Sequence, residues 1–563
     1  MADLLDLSTI LKAQADAGPA AQPSSTRMTN ILMSPPVLIR GSLDPYIGEW
    51  NEFTAKHLLQ RAMFSPNASQ IEQAVADGMT LTIQKLFSPV PDPDLPLNYN
   101  YPDDPNVPIG ESWVYTPIIQ NANYSQRSIR GWQYSLVLNE GVSLKEKMVL
   151  FWHNHFVTAD APHGKFIYQY VDLLRKNAFG NFRNLVKEIT VNSLMLRYLN
   201  GNESNKDAPN ENYARELLEL FTIGKGVQAG PGDYTNYTEE DIKQIARALT
   251  GWTVDYGAFQ IAGPHPPAIF RPNRHDSGTK TLSNRFNNAV INNLGAEEYK
   301  AVVDIILDQE ETSRYMARKL YRWFVYYNID EDIETNVIEP LAALMRQENY
   351  EMVPVITALL SSEHFYHENA IGCMIKSPVD FTASCLKTFE VEIDLNLNLT
   401  YSLWFGLHAL NATLQQDVFN PPSVAGWKAY YQDPIYYRNW INSVTLPIRR
   451  QMTDGVSIGL IPVGGNRPLG IDVLKIVDRD PFAADPNLMI ETLVKLALPW
   501  PLTALQLDYL KEVLIPGLPD FEWTVEYGAY KADPNDDAKR LAVENRLRAL
   551  FVAILGLPEF QLQ

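Results

Sequence analysis

Two histidines stand two residues apart in the tetrapeptide Trp152-His153-Asn154-His155. Imidazole is a common metal ligand and can act as a general base near neutral pH. Residues two apart on a helix point about 200° away from each other, because a helix has about 3.6 residues per turn. His153 and His155 can therefore share one metal ion only if the helix ends near Trp152. In the alternative interpretation, one of them is buried and hydrogen-bonded and the other is exposed.

A second polar group contains Asn212, Arg215, Glu216 and Glu219, whose spacing of three and four residues places them on one helix face. In one interpretation this face is solvated and its charges pair with each other along the helix. In the other, Glu216 or Glu219 faces the interior, where Arg215 keeps the carboxylate ionised and able to bind a metal or move a proton.

A third group is the pair His275-Asp276, which precedes Lys280 in a segment without helical periodicity. Loops carry functional residues more often than the elements that they connect. A histidine beside an aspartate can supply two metal ligands or a general base. The alternative is that Asp276 forms a turn with Gly278 and that His275 is exposed.

Together these groups suggest a metal-dependent enzyme, hydrolytic or oxidative, whose ligands converge on one cleft. In this hypothesis a divalent metal ion activates water or oxygen. Arg215 orients the carboxylate, and Lys280 holds an anionic group of the substrate. The expected metal ligands are His153, His155, His275 and Asp276, and the expected catalytic residues are Glu216, Glu219, Arg215 and Lys280.

The elements that would position these residues are predicted to be helices. Apolar residues recur at three- and four-residue spacing from Trp50 onward. The clearest helix runs from Glu211 to Ile223, between the cap Asn210 and the stop Gly224. Another begins at Thr238 with a capping box. A further capping box at Ser69 predicts a second helix start, and residues from about Ser125 to Phe156 are predicted to be helical. The predicted fold class is therefore mainly α, one large irregular helical bundle with long loops.

Two segments interrupt the helical pattern. Seven prolines between Pro89 and Pro108 predict a long surface loop. Residues 253–285 contain Tyr, Gly, Pro and short β-type runs, and they predict a small β-hairpin excursion. We expect residues 1–45 to form a partly disordered N-terminal tail and residues 46–450 to form the helical main domain. Residues 451–563 are then a Gly-rich connection followed by helices packed on the main body.

Composition and charge narrow the function classes. The chain has 47 Lys and Arg against 66 Asp and Glu, a net charge of −19. This negative field repels phosphate backbones and acidic lipid, so we expect no nucleic-acid partner. No apolar stretch of about 18 residues occurs, so no membrane span is expected. Asp3 and Asp6 and a broken apolar run do not fit a secretory signal. We therefore expect a cytoplasmic protein, with a periplasmic or exported location left open.

Missing motifs exclude several enzyme classes. The sequence has no GxGxxG, GxxxxGK[ST], GxSxG or HExxH pattern, which argues against a kinase, an α/β hydrolase and a zincin. The two cysteines, Cys373 and Cys385, form no CxxC pair and give neither a disulfide scaffold nor a zinc ribbon. Aromatic residues cluster in three segments. They could stack on sugar rings, but core packing or interface contact is favoured. The segments are Trp252–Tyr256, Tyr321–Tyr327 and Trp427–Trp440.

Six segments, in their order and spacing, resemble the bacterial family called domain of unknown function 1800. The four principal ones contain the polar groups described above, and two shorter ones support them. They are Glu146–Phe156, Pro209–Gly224, Tyr237–Trp252 and Arg274–Lys280, supported by His57–Phe64 and Asn420–Trp427. The resemblance runs from about Trp50 to Arg450, and we expect it to extend to the C-terminus. One departure is Ser65, at a position where many relatives have glycine.

The resemblance implies a mostly helical single body and supplies no established activity. Genes of this family often lie beside genes of a second family, domain of unknown function 1501, whose members resemble sulfatases. The resemblance thus implies an alternative function. In it, the protein is a non-catalytic binding or assembly component that works with a sulfatase-like partner, and its polar motifs fix the packing of helices.

Overall fold

Helices joined by irregular connections make up most of the computed structural model, which describes residues 39–118, 123–263, 268–429, 440–461 and 469–563. The predicted tail, 1–45, lies almost entirely outside the described residues. The helices of the first half are α1 Glu52–Ala62, α2 Ala68–Leu86, α3 Tyr124–Asn139, α4 Lys145–His155, α5 Gly164–Lys176, α6 Phe182–Thr190, α7 Ser193–Tyr198, α8 Glu211–Glu216, α9 Glu239–Ala248, α10 Glu298–Leu307 and α11 Glu310–Phe324.

The second half continues the same pattern and confirms the mainly α fold class. Its helices are α12 Glu331–Ile333, α13 Glu339–Gln347, α14 Met352–Leu360, α15 Pro378–Lys387, α16 Leu397–Thr413, α17 Thr445–Ile458, α18 Val473–Val477, α19 Pro486–Ala497, α20 Ala504–Leu514, α21 Asp520–Ala532 and α22 Asp537–Leu555. In the described residues, no helix is both long enough and apolar enough to cross a bilayer.

Local capping explains where several helices begin. The predicted caps Asn210 and Thr238 are confirmed, since each side chain accepts a backbone N–H of the first turn. The capping box predicted at Ser69 is displaced: α2 begins after Asn67, whose side chain pairs reciprocally with Gln70. The predicted helical stretch from Ser125 to Phe156 is divided into α3 and α4.

Three small antiparallel ladders supply the β-structure of the described residues. They pair β1 Gln228–Gly230 with β2 Asp233–Tyr234, β3 Trp252–Thr253 with β4 Ile269–Phe270, and β5 Lys280–Thr281 with β6 Val290–Ile291. The register joins Trp252 to Phe270 and Lys280 to Ile291. The predicted hairpin excursion near 253–285 is therefore present. Within it, residues 258–260 form a 3₁₀ turn where a β-type run was expected.

A continuous buried core extends from Ile39 to Phe560, so the first and last helices share one apolar interior. The proposed boundary at residue 450 falls inside α17. Arg449, on that helix, is fully buried and donates to the Lys376 carbonyl at 2.9 Å. Lys56 of α1 donates to the Lys495 and Leu498 carbonyls at the end of α19. These contacts bind the C-terminal helices to the rest of the body.

Candidate functional site

The helix α4 stays helical through His155, so His153 and His155 face different neighbours. His153 is 1% exposed. Its Nε2 accepts the backbone N–H of Phe419 at 2.9 Å, so Nδ1 carries the proton and donates to Tyr170 Oη at 3.0 Å. Burial lowers the pKa of His153 to about 3. His153 is therefore a neutral group that ties α4 to the segment at Phe419.

His155 is also buried, at 3% exposure, which corrects the expectation that one of the two histidines is exposed. Its Nε2–H donates to the carbonyl of Phe221 at 2.9 Å, and its Nδ1 accepts from Lys319 Nζ at 2.8 Å. Lys319 also donates to the Leu220 carbonyl at 2.8 Å. His155 thus binds the Lys319 ammonium of α11 and the Phe221 carbonyl, which lies at the end of the helical segment that follows Asn210.

Asn154, which the sequence analysis did not single out, connects α4 to a further segment. Its Oδ1 accepts the backbone N–H of Trp427 at 3.1 Å. The preceding residue, Gly426, has a φ of +76°, and a Cβ there would lie 2.7 Å from the Asn154 carbonyl oxygen. Only glycine fits this left-handed position and this close approach. The tetrapeptide therefore anchors three different parts of the chain.

Beside this anchor lies a cavity of about 120 Å³. One wall is the face of α4 that carries Lys147, Phe151, Asn154 and His155, which share a face because of their helical spacing. The facing wall is α11. The remaining walls come from the segment before α15 and from the residues around Trp427. The lining outside α4 is Lys319, Arg322, Trp323, Tyr327, Met374, Ile375, Ser377, Asp380, Gln416, Ala425, Trp427, Trp440 and Gln563.

Three groups that line the cavity present N–H donors without a protein acceptor among the described residues. The indole nitrogens of Trp323 and Trp427 are buried and have no hydrogen-bond partner there. Arg322 donates its Nε–H to the Tyr327 carbonyl at 3.2 Å, and neither of its Nη groups has an acceptor in the described part of the chain. Buried polar groups are nearly always hydrogen-bonded, so the two indole N–H groups mark a place where an acceptor belongs, and the partly buried Arg322 lies beside it.

A buried ion pair closes another part of the same cavity. The Lys147 ammonium contacts Asp380 Oδ1, and the two side chains are 3% and 8% exposed. Ser377 Oγ donates to Asp380 Oδ2 at 2.7 Å and accepts the Asp380 backbone N–H at the start of α15. The pair is therefore held in a fixed orientation with its net charge cancelled.

Residues 57–562 match the sequence profile of the family described as Protein of unknown function (DUF1800). The chain belongs to this family. The match covers nearly the whole chain and confirms the resemblance carried by the six motif segments. No curated protein and no solved structure matches the sequence.

In this DUF1800 protein, the second motif ends in a π-helical turn, Leu217–Phe221, whose last carbonyls accept His155 and Lys319. Arg215 does not form the expected ladder along its own helix. It pairs with Glu239 of α9 through two contacts of 2.8 and 2.6 Å, and this carboxylate raises the pKa of Arg215.

The two glutamates of that motif lie outside the cavity lining. Glu219 pairs with Lys225 at 2.8 Å. Glu216 is half-buried, and burial together with the charge of Glu219 raises the pKa of Glu216. A raised pKa suits a group that exchanges protons, but the expected metal-binding neighbours are absent from its described contacts.

The fourth motif of this DUF1800 protein forms a separate buried network. His275 donates from Nδ1 to the Thr250 carbonyl at 2.9 Å, and its Nε2 lies 3.1 Å from Glu298 Oε2. Lys280 is fully buried and contacts the other oxygen of Glu298. Asp276 binds Arg247, which lowers the pKa of Asp276. His275 is therefore buried, in contrast to the alternative in which it is exposed.

The expected convergence of the polar motifs on one metal is not found. In the described residues, no group of three or more His, Cys, Asp and Glu side chains is arranged to hold a metal ion. His153, His155 and His275 each have protein partners of their own, because the folded chain distributes the motifs between two separate networks. Of the eight residues that the sequence analysis assigned to a site, His155 alone lines the cavity.

Sequence reasoning missed the residues that define the cavity. Arg322 and Trp323 lie within the aromatic segment that was assigned to core packing, and Trp427 lies within another. An arginine between aromatic residues on one helix is a signal that could have marked this surface. Asp380 and Ser377 carry no motif, so their role became visible only through their contacts.

Proposed function

We propose that the cavity between α4 and α11 is the functional site of this protein and that it binds a small organic molecule through an oxyanion. The observation that carries this proposal is the set of N–H donors on Arg322, Trp323 and Trp427 that have no acceptor in the described residues. A carboxylate, phosphate or sulfate supplies acceptor oxygens for all three groups.

The chemistry of the donors favours an anion over a neutral ligand. A guanidinium offers its two Nη groups as a planar fork that matches two oxygens of a carboxylate or phosphate. Hydrogen bonds to a charged acceptor contribute about 1.5–3 kcal/mol, roughly twice a neutral one. Lys319 adds a second positive charge, and His155 fixes its position at the wall of the cavity.

The charge at the cavity wall formed by α11 differs in sign from the net charge of the chain. The chain as a whole carries a net charge of −19, which repels anions at long range. Against this background Lys319 and Arg322, three residues apart on α11, place two positive charges at the wall of the cavity. Selective binding of a small anion in an acidic protein requires a local arrangement of this kind.

Isothermal titration calorimetry with benzoate, phosphate, sulfate and the uncharged benzamide tests the proposal. We expect at least one of the three anions to bind and benzamide to bind at least about tenfold more weakly, because it lacks the charge that Arg322 recognises. Arg322→Ala should weaken anion binding by about 10- to 100-fold. Trp427→Phe, which removes one N–H and keeps a ring, should weaken it less.

Arg318→Ala is the matched control. Arg318 lies on the same helix and carries the same charge, but it pairs with Glu334 and Glu311 outside the cavity. The proposal fails if no anion binds, if benzamide binds as tightly as benzoate, or if Arg322→Ala and Arg318→Ala have equal effects on affinity.

The two functions suggested by the sequence remain open to test. A metal-dependent enzyme with His153, His155, His275 and Asp276 as ligands stays a prediction. Elemental analysis of protein purified without added metal checks it, and less than about a tenth of an equivalent of any divalent ion would count against it.

The alternative of a non-catalytic assembly component is supported by the buried networks around His153 and His275. These networks fix helix packing, as that alternative requires. A pull-down from the native host that recovers a sulfatase-like protein supports this function. Loss of folding in both His153→Ala and Glu216→Ala would support it further, whereas a folded but inactive Glu216→Ala protein would favour the enzyme.

A further inference from the structure

We infer that the ligand of the cavity is a small aromatic acid that carries a hydroxyl group, with the acid bound by Arg322 and the hydroxyl bound by the Lys147–Asp380 pair. This inference rests on the proposed function and adds the class of ligand. Three observations carry it: the size of the cavity, the aromatic character of its walls, and the ion pair in its lining.

The size of the cavity fits one six-membered ring. Its volume is about 120 Å³. Cavities of about 150 Å³ hold a benzene molecule in other proteins. The described lining therefore encloses no more than a single six-membered ring, and the acid and hydroxyl substituents must reach the polar groups at its edges.

The walls are aromatic on several sides. Phe151 and Trp323 meet edge to face with ring centroids 5.5 Å apart. Tyr327, Trp427 and Trp440 complete the aromatic lining. Aromatic rings prefer offset-stacked or edge-to-face contacts with other rings. A planar aromatic ring can use both kinds of contact here, whereas an aliphatic chain can use neither.

The two helices that form the cavity run antiparallel, which places different polar groups along its length. His155 of α4 contacts Lys319 of α11, and Phe151 contacts Trp323. Lys147 lies eight residues before His155, which corresponds to about 12 Å along a helix. The cavity therefore presents Lys319 beside His155 and the Lys147–Asp380 pair one ring length or more away.

The ion pair is suited to a hydroxyl group. An ammonium has three N–H donors and a carboxylate has about four acceptor positions. Lys147 uses one donor on Asp380, and Asp380 accepts from Lys147 and Ser377. Both partners of the pair retain capacity for further hydrogen bonds. A hydroxyl can donate to Asp380 and accept from Lys147 at once, but an ether can only accept.

The cancelled charge of this pair also distinguishes it from the other wall of the cavity. Lys319 and Arg322 offer positive charge to the acid, and the pair offers a neutral site with both a donor and an acceptor. A second acid group would find no net positive charge at this pair to offset the loss of its hydration. The lining thus selects one acid and one hydroxyl on the same ring.

Calorimetry with benzoate, 3-hydroxybenzoate, 4-hydroxybenzoate and 4-methoxybenzoate tests the inference on the unaltered protein. We expect one hydroxybenzoate isomer to bind at least about tenfold more tightly than benzoate, and 4-methoxybenzoate to show no such gain. Glucuronate serves as a hydroxylated, non-aromatic acid with one six-membered ring and should bind more weakly than the preferred hydroxybenzoate.

The double variant Lys147→Met with Asp380→Leu removes the pair without leaving a single buried charge. It should bind benzoate as the unaltered protein does and lose the preference for the hydroxyl group. Arg322→Ala should instead weaken the binding of every acid in the series.

The outcomes separate the two claims. If no acid binds, the proposed function itself is refuted. If benzoate binds but neither hydroxybenzoate gains affinity, the site stands and the hydroxyl inference is overturned. If glucuronate binds more tightly than every benzoate, the aromatic class is overturned. A hydroxyl preference that survives in the double variant also overturns the inference, because a group other than Lys147 and Asp380 must then bind the hydroxyl.

Discussion

Replacing His153 with glutamine is expected to make the stability of the protein less sensitive to acid. The imidazole is fully buried and neutral, and burial lowers its pKa from 6.5 to about 3. In the unfolded chain the same group takes up a proton below about pH 6.5. Between these two values the unfolded state binds one more proton than the folded state, so falling pH favours unfolding.

The magnitude follows from the difference in pKa. Each pH unit between the two values changes the free energy of unfolding by about 1.4 kcal/mol per group. From pH 6.5 to pH 4.5, His153 therefore removes about 2.5 kcal/mol of stability. Burial also lowers the pKa of His57 to about 3 and that of His364 to about 4, so both add to the acid sensitivity.

One buried carboxyl group acts in the opposite direction. Burial raises the pKa of Glu140 to about 7, so the folded state takes up this proton first and gains stability as the pH falls from 7 towards 4.5. Glu140, His57 and His364 are present in both proteins. Their contributions cancel when the slope of His153→Gln is subtracted from that of the unaltered protein.

Urea unfolding followed by circular dichroism at pH 7.5, 6.5, 5.5 and 4.5 measures these slopes. The variant should show a slope smaller by about 1.4 kcal/mol per pH unit below pH 6.5. Tyr170→Phe is the control, since it removes a hydrogen-bond partner and keeps the imidazole. The Tyr170→Phe protein should be less stable, and its free energy of unfolding should keep the steep pH dependence of the unaltered protein. Equal slopes in His153→Gln and the unaltered protein would refute the assignment of His153 as a buried neutral group.

Three further predictions concern packing. Glu298→Gln removes the nearer carboxylate from the buried Lys280 and leaves only Asp276 Oδ1, at 4.0 Å. It should lower the free energy of unfolding by about 3–5 kcal/mol in urea titrations. A loss below about 1 kcal/mol would contradict a buried ion network. Gly426→Ala forces a Cβ against Asn154 at a φ of +76°. It should lower the free energy of unfolding by about 1–3 kcal/mol and weaken anion binding in calorimetry. Ser65→Gly removes the strain of a side chain at a φ of +56° and should raise the free energy of unfolding by about 1 kcal/mol. A lower melting temperature would show that the serine side chain is needed.

Ser65 differs from the glycine that the family resemblance suggests at this position, and its backbone conformation gives this difference a physical meaning. The resemblance to the family indicated that many relatives have glycine there, but the sequence alone could not say why. The structure places Ser65 in the left-handed region, where a residue with a Cβ is strained and glycine is not. A glycine at this position would adopt the same backbone conformation without that strain.

Helix positions and caps were predictable because they depend on nearby residues. Asn210 and Thr238 bind N–H groups two and three residues ahead, so their roles follow from a short window of sequence. The mainly α class follows from apolar periodicity in the same way. The capping box at Ser69 was placed two residues late, because Asn67 and Gln70 form an equivalent pair that competes with it.

The candidate site was less accessible to sequence reasoning. The tetrapeptide at His153 was singled out for its metal-ligand side chains, and in the structure the side chains of the tetrapeptide bind Phe419, Trp427 and Phe221. Glu298, the shared partner of His275 and Lys280, has no motif of its own. A histidine that binds a metal and a histidine that binds a backbone group can have the same sequence pattern. Only the contacts of the imidazole in the folded structure distinguish the two.

The sequence by itself determined the helical class, the family and the segments in which polar residues concentrate, since periodicity, capping and motif order are local properties of the chain. Only the tertiary structure decided that Arg322, Trp427 and Asp380 line one cavity while His153 and His275 belong to separate buried networks. The reason is physical: which side chains meet across the core depends on how helices distant in sequence pack, and hydrogen-bond partners are assigned by that packing.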